Sequence, residues 1–150
     1  MGNHKASDII RNLLIKNGGT IKVENYQEKT YHNGSIYEIN LSSDTQRIET
    51  KALPQHDYEL TVFDIIVNLL IECSGTARKG AGRNNKLNEE NCGYDTIVGR
   101  IGRDYFNKQA GESVWDPVMV LGAVLDWADI CSSKRGYLEL TPNYREILKS

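Results

Sequence analysis

The most strongly patterned part of the chain is the apolar run from Leu60 to Gly75, which predicts a core helix. Three polar residues, Asp64, Asn68 and Glu72, recur every four positions and therefore fall on one narrow stripe of a helix. Because most other positions of this run are apolar, we expect the helix to be covered on most sides. Thr61 and Asp64 have the spacing of a capping box, which predicts that the helix begins there.

The sequence before this run predicts a helix followed by a small antiparallel sheet. Apolar residues repeat at helical spacing through residues 4–17, and two consecutive glycines are expected to end that helix. Segments that alternate between apolar and polar residues follow, as is typical of strands with one solvent-exposed face. The pair Asn33-Gly34 predicts a two-residue hairpin turn, because both positions favour positive φ. The predicted strands are residues 20–25, 28–32, 35–41 and 47–53.

The sequence after this run predicts mainly helices. Residues 76–88 combine glycines with basic side chains and have few apolar ones, which indicates an exposed loop. Asp116-Pro117 is a typical helix start, with an acidic N-cap before a proline at the first helical position. We expect helices at residues 94–108, 118–131 and 142–148, and a short strand at residues 136–140.

Together these patterns predict an α+β fold, in which an N-terminal helix and a small antiparallel sheet precede a mainly helical C-terminal part. The expected boundary lies near residues 54–57. It separates a lobe of residues 1–54, with a helix and an antiparallel meander, from a helical lobe of residues 55–150 with a short strand. Since the central helix is apolar on most sides, it can contribute to both lobes, and we expect one compact unit.

Composition indicates a soluble cytoplasmic protein. Of the 150 residues, 39% are hydrophobic and 25% are charged, which is typical of globular domains. No apolar run is long enough to cross a bilayer, and the first residues lack the apolar core of a signal peptide, so we expect no membrane partner. The three cysteines are an odd number and widely spaced, which disfavours a disulfide framework.

Charge is unevenly distributed along the chain. The formal net charge is −2, yet residues 76–110 carry seven basic and four acidic side chains, a local charge of +3. Glycines allow a backbone to approach a phosphate closely, and arginines donate forked hydrogen bonds to it. The spacing is not that of a P-loop, because the segment lacks Gly-Lys-Ser/Thr. The candidate nucleic-acid-binding residues are Arg78, Lys79, Arg83, Asn84, Lys86, Arg100 and Arg103.

The C-terminal element order resembles the end of a winged-helix DNA-binding domain. The resemblance rests on Gly136–Pro142, with the sequence Gly-Tyr-Leu-Glu-Leu-Thr-Pro between two predicted helices, and by element order it covers residues 60–148. It implies a non-catalytic DNA-binding regulator. The helix at residues 117–131 is too apolar to contact a groove, so the recognition helix would be residues 94–108, with Arg100 and Arg103 facing outward. One strand of the wing is evident.

Two other functions remain open. A small phage-type or mobile-element inhibitor that occludes a protein partner fits the short length and acidic charge, since an acidic face can mimic nucleic acid. A metal-dependent nuclease would use Glu38, Glu49 and Lys51, because Glu-x-Lys on a strand after an upstream acid is a known metal-binding arrangement. The histidines and cysteines lack metal-ligand spacing, so no metal or cofactor is expected and an enzyme is the less favoured class. A homodimer is also an open alternative.

Overall fold

The computed structural model describes residues 5–24, 36–53, 55–82 and 85–149. Within these residues the chain has five helices and two antiparallel sheets, so the predicted α+β class is confirmed. The predicted strand at residues 28–32 and the Asn33-Gly34 turn lie outside the described residues. The helices are α1 (Ala6–Lys16), α2 (Thr61–Glu72), α3 (Ile97–Asp104), α4 (Val118–Trp127) and α5 (Pro142–Lys149). The strands are β1 (Thr20–Glu24), β2 (Ile36–Leu41), β3 (Arg47–Glu49), β4 (Asp57–Glu59), β5 (Thr76–Arg78), β6 (Cys131–Lys134) and β7 (Tyr137–Leu140).

The first sheet contains β1, β2, β3 and β4 in that order, and every neighbouring pair is antiparallel. Its core-facing side chains alternate with exposed ones, as the sequence pattern predicted for β1 and β2. The strand predicted at residues 47–53 ends at Glu49, and β4 was not predicted. In β4 only Tyr58 faces the core, and it lies between two acidic residues. One apolar residue is too short an alternation for the strand to be recognised in the sequence. The buried residues of this sheet are Ile21, Val23, Ile39, Ile48 and Tyr58.

The second sheet has the order β5-β7-β6, again with antiparallel neighbours. Here β5 lies in the segment that was predicted to be an exposed loop, and β6 lies where the sequence predicted a turn. Both predictions were wrong for the residues of these two strands. Ala77 and Cys131 are buried there by tertiary packing, which the sequence of a short polar strand does not indicate. In chain order, β5 lies between α2 and α3, and the β6-β7 hairpin follows α4.

The central helix α2 lies at the middle of the core. It contacts α1, α3 and two strands of the second sheet, and buried residues from both halves of the chain form one cluster around it. The capping box predicted at Thr61 is not formed, since the N-cap is Leu60 and no side chain caps the helix. The Asp64 carboxylate instead accepts hydrogen bonds from the backbone N–H (3.0 Å) and Oγ (2.7 Å) of Ser7. Asp64 therefore satisfies a free N–H at the start of α1.

Helices α3 and α4 are shorter than predicted. Thr96 caps α3, its Oγ1 accepting a hydrogen bond from the backbone N–H of Gly99 (3.1 Å), and the helix ends at Asp104. Helix α4 ends at Trp127, because Asp129 has a φ of +58° and Cys131 already belongs to β6. No helix among the described residues is long and apolar enough to cross a membrane.

Candidate functional site

The second sheet presents a row of exposed side chains at its hairpin end. In the register of the sheet, Tyr137 of β7 pairs with Arg78 of β5 on one side and with Lys134 of β6 on the other. Directly paired residues of antiparallel strands point to the same face. All three are exposed, whereas Ala77 and Leu138 in the neighbouring row are buried. The register therefore places an aromatic ring between two cations on one solvent-facing surface.

The turn between β6 and β7 adds a third cation to this row. Arg135 and Gly136 form the turn, and both are exposed. Gly136 has a φ of +85°, which favours glycine, and a Cβ at this position would meet no atom within 4 Å, so the turn projects into open space. Its carbonyl accepts a hydrogen bond from the backbone N–H of Lys79 (2.8 Å). We name the exposed group of Arg78, Lys134, Arg135 and Tyr137 the hairpin cluster.

Of the residues predicted to bind nucleic acid, Lys79 is the clearest correction. Its side chain was expected on an exposed loop, but Lys79 is only 5% exposed. The ammonium group donates a hydrogen bond to Ser133 Oγ (2.9 Å). Burial lowers the pKa of Lys79 to about 8, against the attraction of Asp126 and Asp116. Lys79 therefore lies beneath the hairpin and not on the surface, where the sequence placed it.

The two arginines of α3 are engaged by neighbouring groups. Arg100 was predicted to face outward, but its side chain is only 12% exposed and binds Glu72 of α2 at 2.6 and 3.3 Å. Its Nε also donates a hydrogen bond to the carbonyl oxygen of Tyr94 (3.0 Å). Arg103 donates to Asp104 (2.7 Å) and its guanidinium lies 5.0 Å from the centre of the Tyr94 ring. Helix α3 therefore does not present these two arginines as a free pair.

The remaining predicted residues differ in their surroundings. Arg78 is 59% exposed and lies 3.9 Å from Asp95, which is itself 72% exposed, and such solvated pairs hold each other weakly. Lys86 is exposed, and its Nζ donates a hydrogen bond to Ser113 Oγ (2.7 Å). Arg83 and Asn84 lie outside the described residues. Of the predicted residues that the structure describes, only Arg78 joins the hairpin cluster.

Sequence reasoning missed Lys134, Arg135 and Tyr137. The available signal was weak, because Ser132–Arg135 contain no apolar residue and were therefore assigned to a turn. The strand at residues 136–140 was predicted, and an antiparallel partner immediately before Gly136 would have suggested a hairpin. Which residues share a row depends on pairing with β5, which is far away in the sequence.

Helix α4 is mostly buried. Seven of its ten residues are buried, and Met119 is its only exposed side chain. It packs against β6 of the second sheet and β1 of the first. This burial matches the apolar sequence of the helix.

The exposed face of the first sheet is acidic. The register places Glu49 beside Asp57, and Glu59 beside Arg47, on the side opposite the buried residues. Arg47 donates a hydrogen bond to Asp57 (2.8 Å), and its guanidinium lies 3.9 Å from Glu59. Glu38 lies on the same face, since it alternates with buried Ile39. We name Glu38, Glu49, Asp57 and Glu59 the acidic face.

The proposed nuclease residues are only partly gathered. Glu38 and Lys51 line one cavity of about 300 Å³, and Glu49 is not part of its lining. Among the described residues, no group of three or more histidine, cysteine, aspartate or glutamate side chains is arranged to hold a metal ion.

No family model, curated protein or solved structure matches this chain.

The contact between Arg100 and Glu72 makes a prediction about acid titration. The hydrogen bond from Arg100 lowers the pKa of Glu72, although the carboxylate is solvent-exposed. Replacing Arg100 with methionine should therefore raise the pKa of Glu72 towards its ordinary value of 4.5. The measurement is an NMR titration of the Glu72 carboxyl carbon in both proteins.

The same contact predicts the pH dependence of stability. A lowered folded-state pKa stabilises the fold above the unfolded pKa, and this contribution is lost as the pH falls through the folded pKa. The stability difference between wild type and Arg100→Met should thus shrink on acidification below pH 4.5. Glu146→Gln, in an exposed pair on α5, is the control that should leave the Glu72 titration unchanged. An identical Glu72 titration in Arg100→Met would show that the contact does not form in solution.

Proposed function

We propose that the protein is a non-catalytic nucleic-acid-binding regulator and that the hairpin cluster is its phosphate-contacting surface. The supporting observation is the cross-strand row in which Tyr137 lies between Arg78 and Lys134, with Arg135 at the adjoining turn. Cations on a projecting turn can reach phosphate oxygens without a cleft, and an exposed ring between them can stack on a base or sugar. This surface replaces the loop and α3 surface expected from the sequence.

The element order supports a winged-helix-like mode of contact. From α2 to β7 the order is helix, strand, two helices and a hairpin, and β5 pairs with the last strand. In the proposed arrangement the β6-β7 hairpin is the wing, with both of its strands present. Helix α4, which follows α3 and precedes the hairpin, is mostly buried. In this proposal nucleic acid therefore contacts the hairpin and not a recognition helix. We therefore expect weak sequence specificity, because phosphate contacts carry little sequence information.

The test is a titration of a fluorescein-labelled 20-base-pair DNA duplex by fluorescence anisotropy at several salt concentrations. Wild type should bind at low salt, with the logarithm of the affinity falling linearly as the logarithm of the salt concentration rises. In the double variant Lys134→Glu/Arg135→Glu, affinity should fall at least tenfold. The magnitude of the salt slope should decrease by about 2, since each phosphate contact contributes about 0.9.

The matched control is Lys16→Glu/Lys51→Glu, which makes the same change in net charge at exposed lysines elsewhere. The control should keep the wild-type salt slope. No binding of wild type at low salt would overturn the proposed function. Equal loss of affinity in both double variants would show that net charge, and not the hairpin cluster, determines binding.

The acidic face supports a second candidate function, occlusion of a basic protein surface. Glu38, Glu49, Asp57 and Glu59 lie on one side of the first sheet. Arg47 and Lys22, the register partner of Glu38, neutralise this side only in part. A protein partner that normally binds nucleic acid would present complementary charge. Affinity purification after nuclease treatment distinguishes the two functions. A partner retained by wild type and lost in Glu38→Lys/Glu49→Lys would favour occlusion.

A further inference from the structure

Two adjoining cavities open on either side of two exposed aliphatic side chains, Ile71 of α2 and Leu148 of α5. Each cavity has a volume of about 320 Å³, and both residues line both cavities. Ile71 is 49% exposed and Leu148 is 37% exposed, although neighbouring Val67 and Tyr144 are buried. The two side chains thus form an apolar ridge between two hollows. We name this region the α2–α5 groove.

The charge around the α2–α5 groove is positive. Its lining includes three cations, Lys5, Arg145 and Lys149, and one carboxylate, Asp64. Both Asp64 oxygens accept hydrogen bonds from Ser7, which directs them towards α1. Lys149 lies 3.5 Å from Glu146, but both side chains are about three-quarters exposed, so the pair is weak. A positive rim around apolar side chains stands out in a chain whose net charge is −2.

Arg145 is held in place by its contact with Gly75 and by a hydrogen bond to the backbone. Its guanidinium lies directly over Gly75, where a Cβ would collide with it, and its Nε donates a hydrogen bond to the carbonyl oxygen of Leu140 (3.3 Å). Gly75 has a φ of +106°, so glycine is favoured for its conformation as well as for this contact. Among the described residues, no carboxylate forms an ion pair with Arg145. The groove therefore has a positioned cation whose charge is not neutralised by the part of the chain described.

We propose that the α2–α5 groove binds an acidic amphipathic helix of a partner protein. Side chains three or four residues apart on a helix lie about 5–6 Å apart, so two of them can enter the two hollows on either side of the ridge. Acidic residues flanking them would meet Lys5, Arg145 and Lys149. A second copy of the chain fits less well, because a symmetric contact brings the same positive rim against itself. This inference is independent of nucleic-acid binding by the hairpin cluster.

The test uses a phage-displayed library of helical peptides that carry apolar residues at positions i, i+4 and i+7. The exposed positions are encoded equally as glutamate, glutamine or lysine. Selection against the full-length protein should enrich glutamate-rich peptides, and their affinity should fall at least tenfold between 50 mM and 500 mM salt. Enrichment of lysine-rich peptides, or no enrichment at all, would overturn the proposal.

Variants locate the binding site. Ile71→Glu and Leu148→Glu should each weaken a selected acidic peptide at least tenfold, as measured by fluorescence anisotropy. Lys149→Glu, at a three-quarters-exposed position, should weaken it about threefold or more without affecting the fold. Ile36→Glu is the matched control at an exposed isoleucine elsewhere, and Lys134→Glu/Arg135→Glu is the control in the hairpin cluster. Both controls should bind the peptide as wild type does.

Two further outcomes would overturn the proposal. The first is equal binding by wild type, Ile71→Glu and Leu148→Glu, which would place the peptide elsewhere. The second is a wild-type dimer in sedimentation equilibrium that Ile71→Glu converts to a monomer, which would make a second copy the occupant. Far-ultraviolet circular dichroism of each variant establishes that lost binding does not reflect lost folding.

Discussion

Replacing Gly99 with alanine should lower the free energy of unfolding by about 3 kcal/mol, at the upper end of the usual cost of overpacking. In an ordinary helix the same change stabilises by about 0.5–1 kcal/mol. At this position the added Cβ would overlap the carbonyl oxygen of Gly93 and approach that of Cys92 within 2.6 Å. Both atoms belong to the backbone, so no change of side-chain rotamer can relieve the overlap.

The Gly93 carbonyl is also fixed from the other side. It accepts hydrogen bonds from the backbone N–H (3.0 Å) and Oγ1 (2.7 Å) of Thr96, the residue that caps α3. The Cys92 carbonyl accepts from the backbone N–H of Asn88 (3.0 Å). Moving either carbonyl would leave donors without acceptors, and buried unsatisfied donors are costly. The expected destabilisation therefore includes the capping of α3 as well as steric overlap.

Gly122→Ala is the matched control, since Gly122 lies inside α4 and is buried. A Cβ there would lie 3.3 Å from Leu138 Cδ2 and 3.4 Å from Ser133 Oγ, both of which are side-chain atoms able to adjust. We expect a change within about 1 kcal/mol, because the gain in helix propensity offsets the tighter contact. Urea denaturation followed by circular dichroism and tryptophan fluorescence measures both variants. A loss below about 1 kcal/mol for Gly99→Ala would show that the 88–93 loop moves freely.

The longer apolar segments could be predicted from the sequence and the short strands could not. Helices α1, α2 and α4 each carry enough apolar residues at helical spacing to be recognised, and their predicted and observed positions overlap. By contrast, β5 and β6 span three and four residues and bury only Ala77 and Cys131. Their stability comes from pairing with β7, which is distant in sequence from β5. A local pattern contains no information about that pairing.

The same limit applies to the charged residues. The sequence located a local excess of positive charge, but it could not show that Arg100 binds Glu72 or that Lys79 is buried next to Ser133. Both contacts join residues 28 or more positions apart. Conversely, Lys134 and Arg135 lie outside the charge-rich segment. Only the sheet register shows that Lys134 shares an exposed row with Tyr137 and that Arg135 adjoins it. Formal charge along a chain therefore indicates where cations occur, but it does not predict which ones reach solvent.

Replacing Lys79 with methionine should remove a pH-dependent destabilisation of the folded state. Burial lowers the pKa of Lys79 from an ordinary value of 10.5 to about 8 in the folded state. Below pH 8 the lysine is charged in both states, and the fold bears the full cost of burying that charge. Between pH 8 and 10.5 the unfolded state binds more protons, so wild-type stability should rise with pH relative to the variant. At 1.36 kcal/mol per pKa unit, the full rise is about 3 kcal/mol.

The comparison of the two proteins isolates Lys79 from other groups that titrate at high pH. Burial raises the pKa of the Cys131 thiol and raises the pKa of Tyr144 to about 12, so both groups destabilise the fold in alkali. They are present in wild type and in Lys79→Met, and their effects cancel in the difference. Urea denaturation measures this difference at pH 7 and at pH 10. Between these two values, the free energy of unfolding of wild type should rise by about 2 kcal/mol relative to that of Lys79→Met, which is most of the full effect.

Lys51→Met, at an exposed lysine, is the matched control for the substitution itself. A constant difference between wild type and Lys79→Met across this range would mean that Lys79 reaches solvent. Lys79 would then be a fourth cation of the hairpin cluster, and the proposed phosphate-contacting surface would extend beneath the turn.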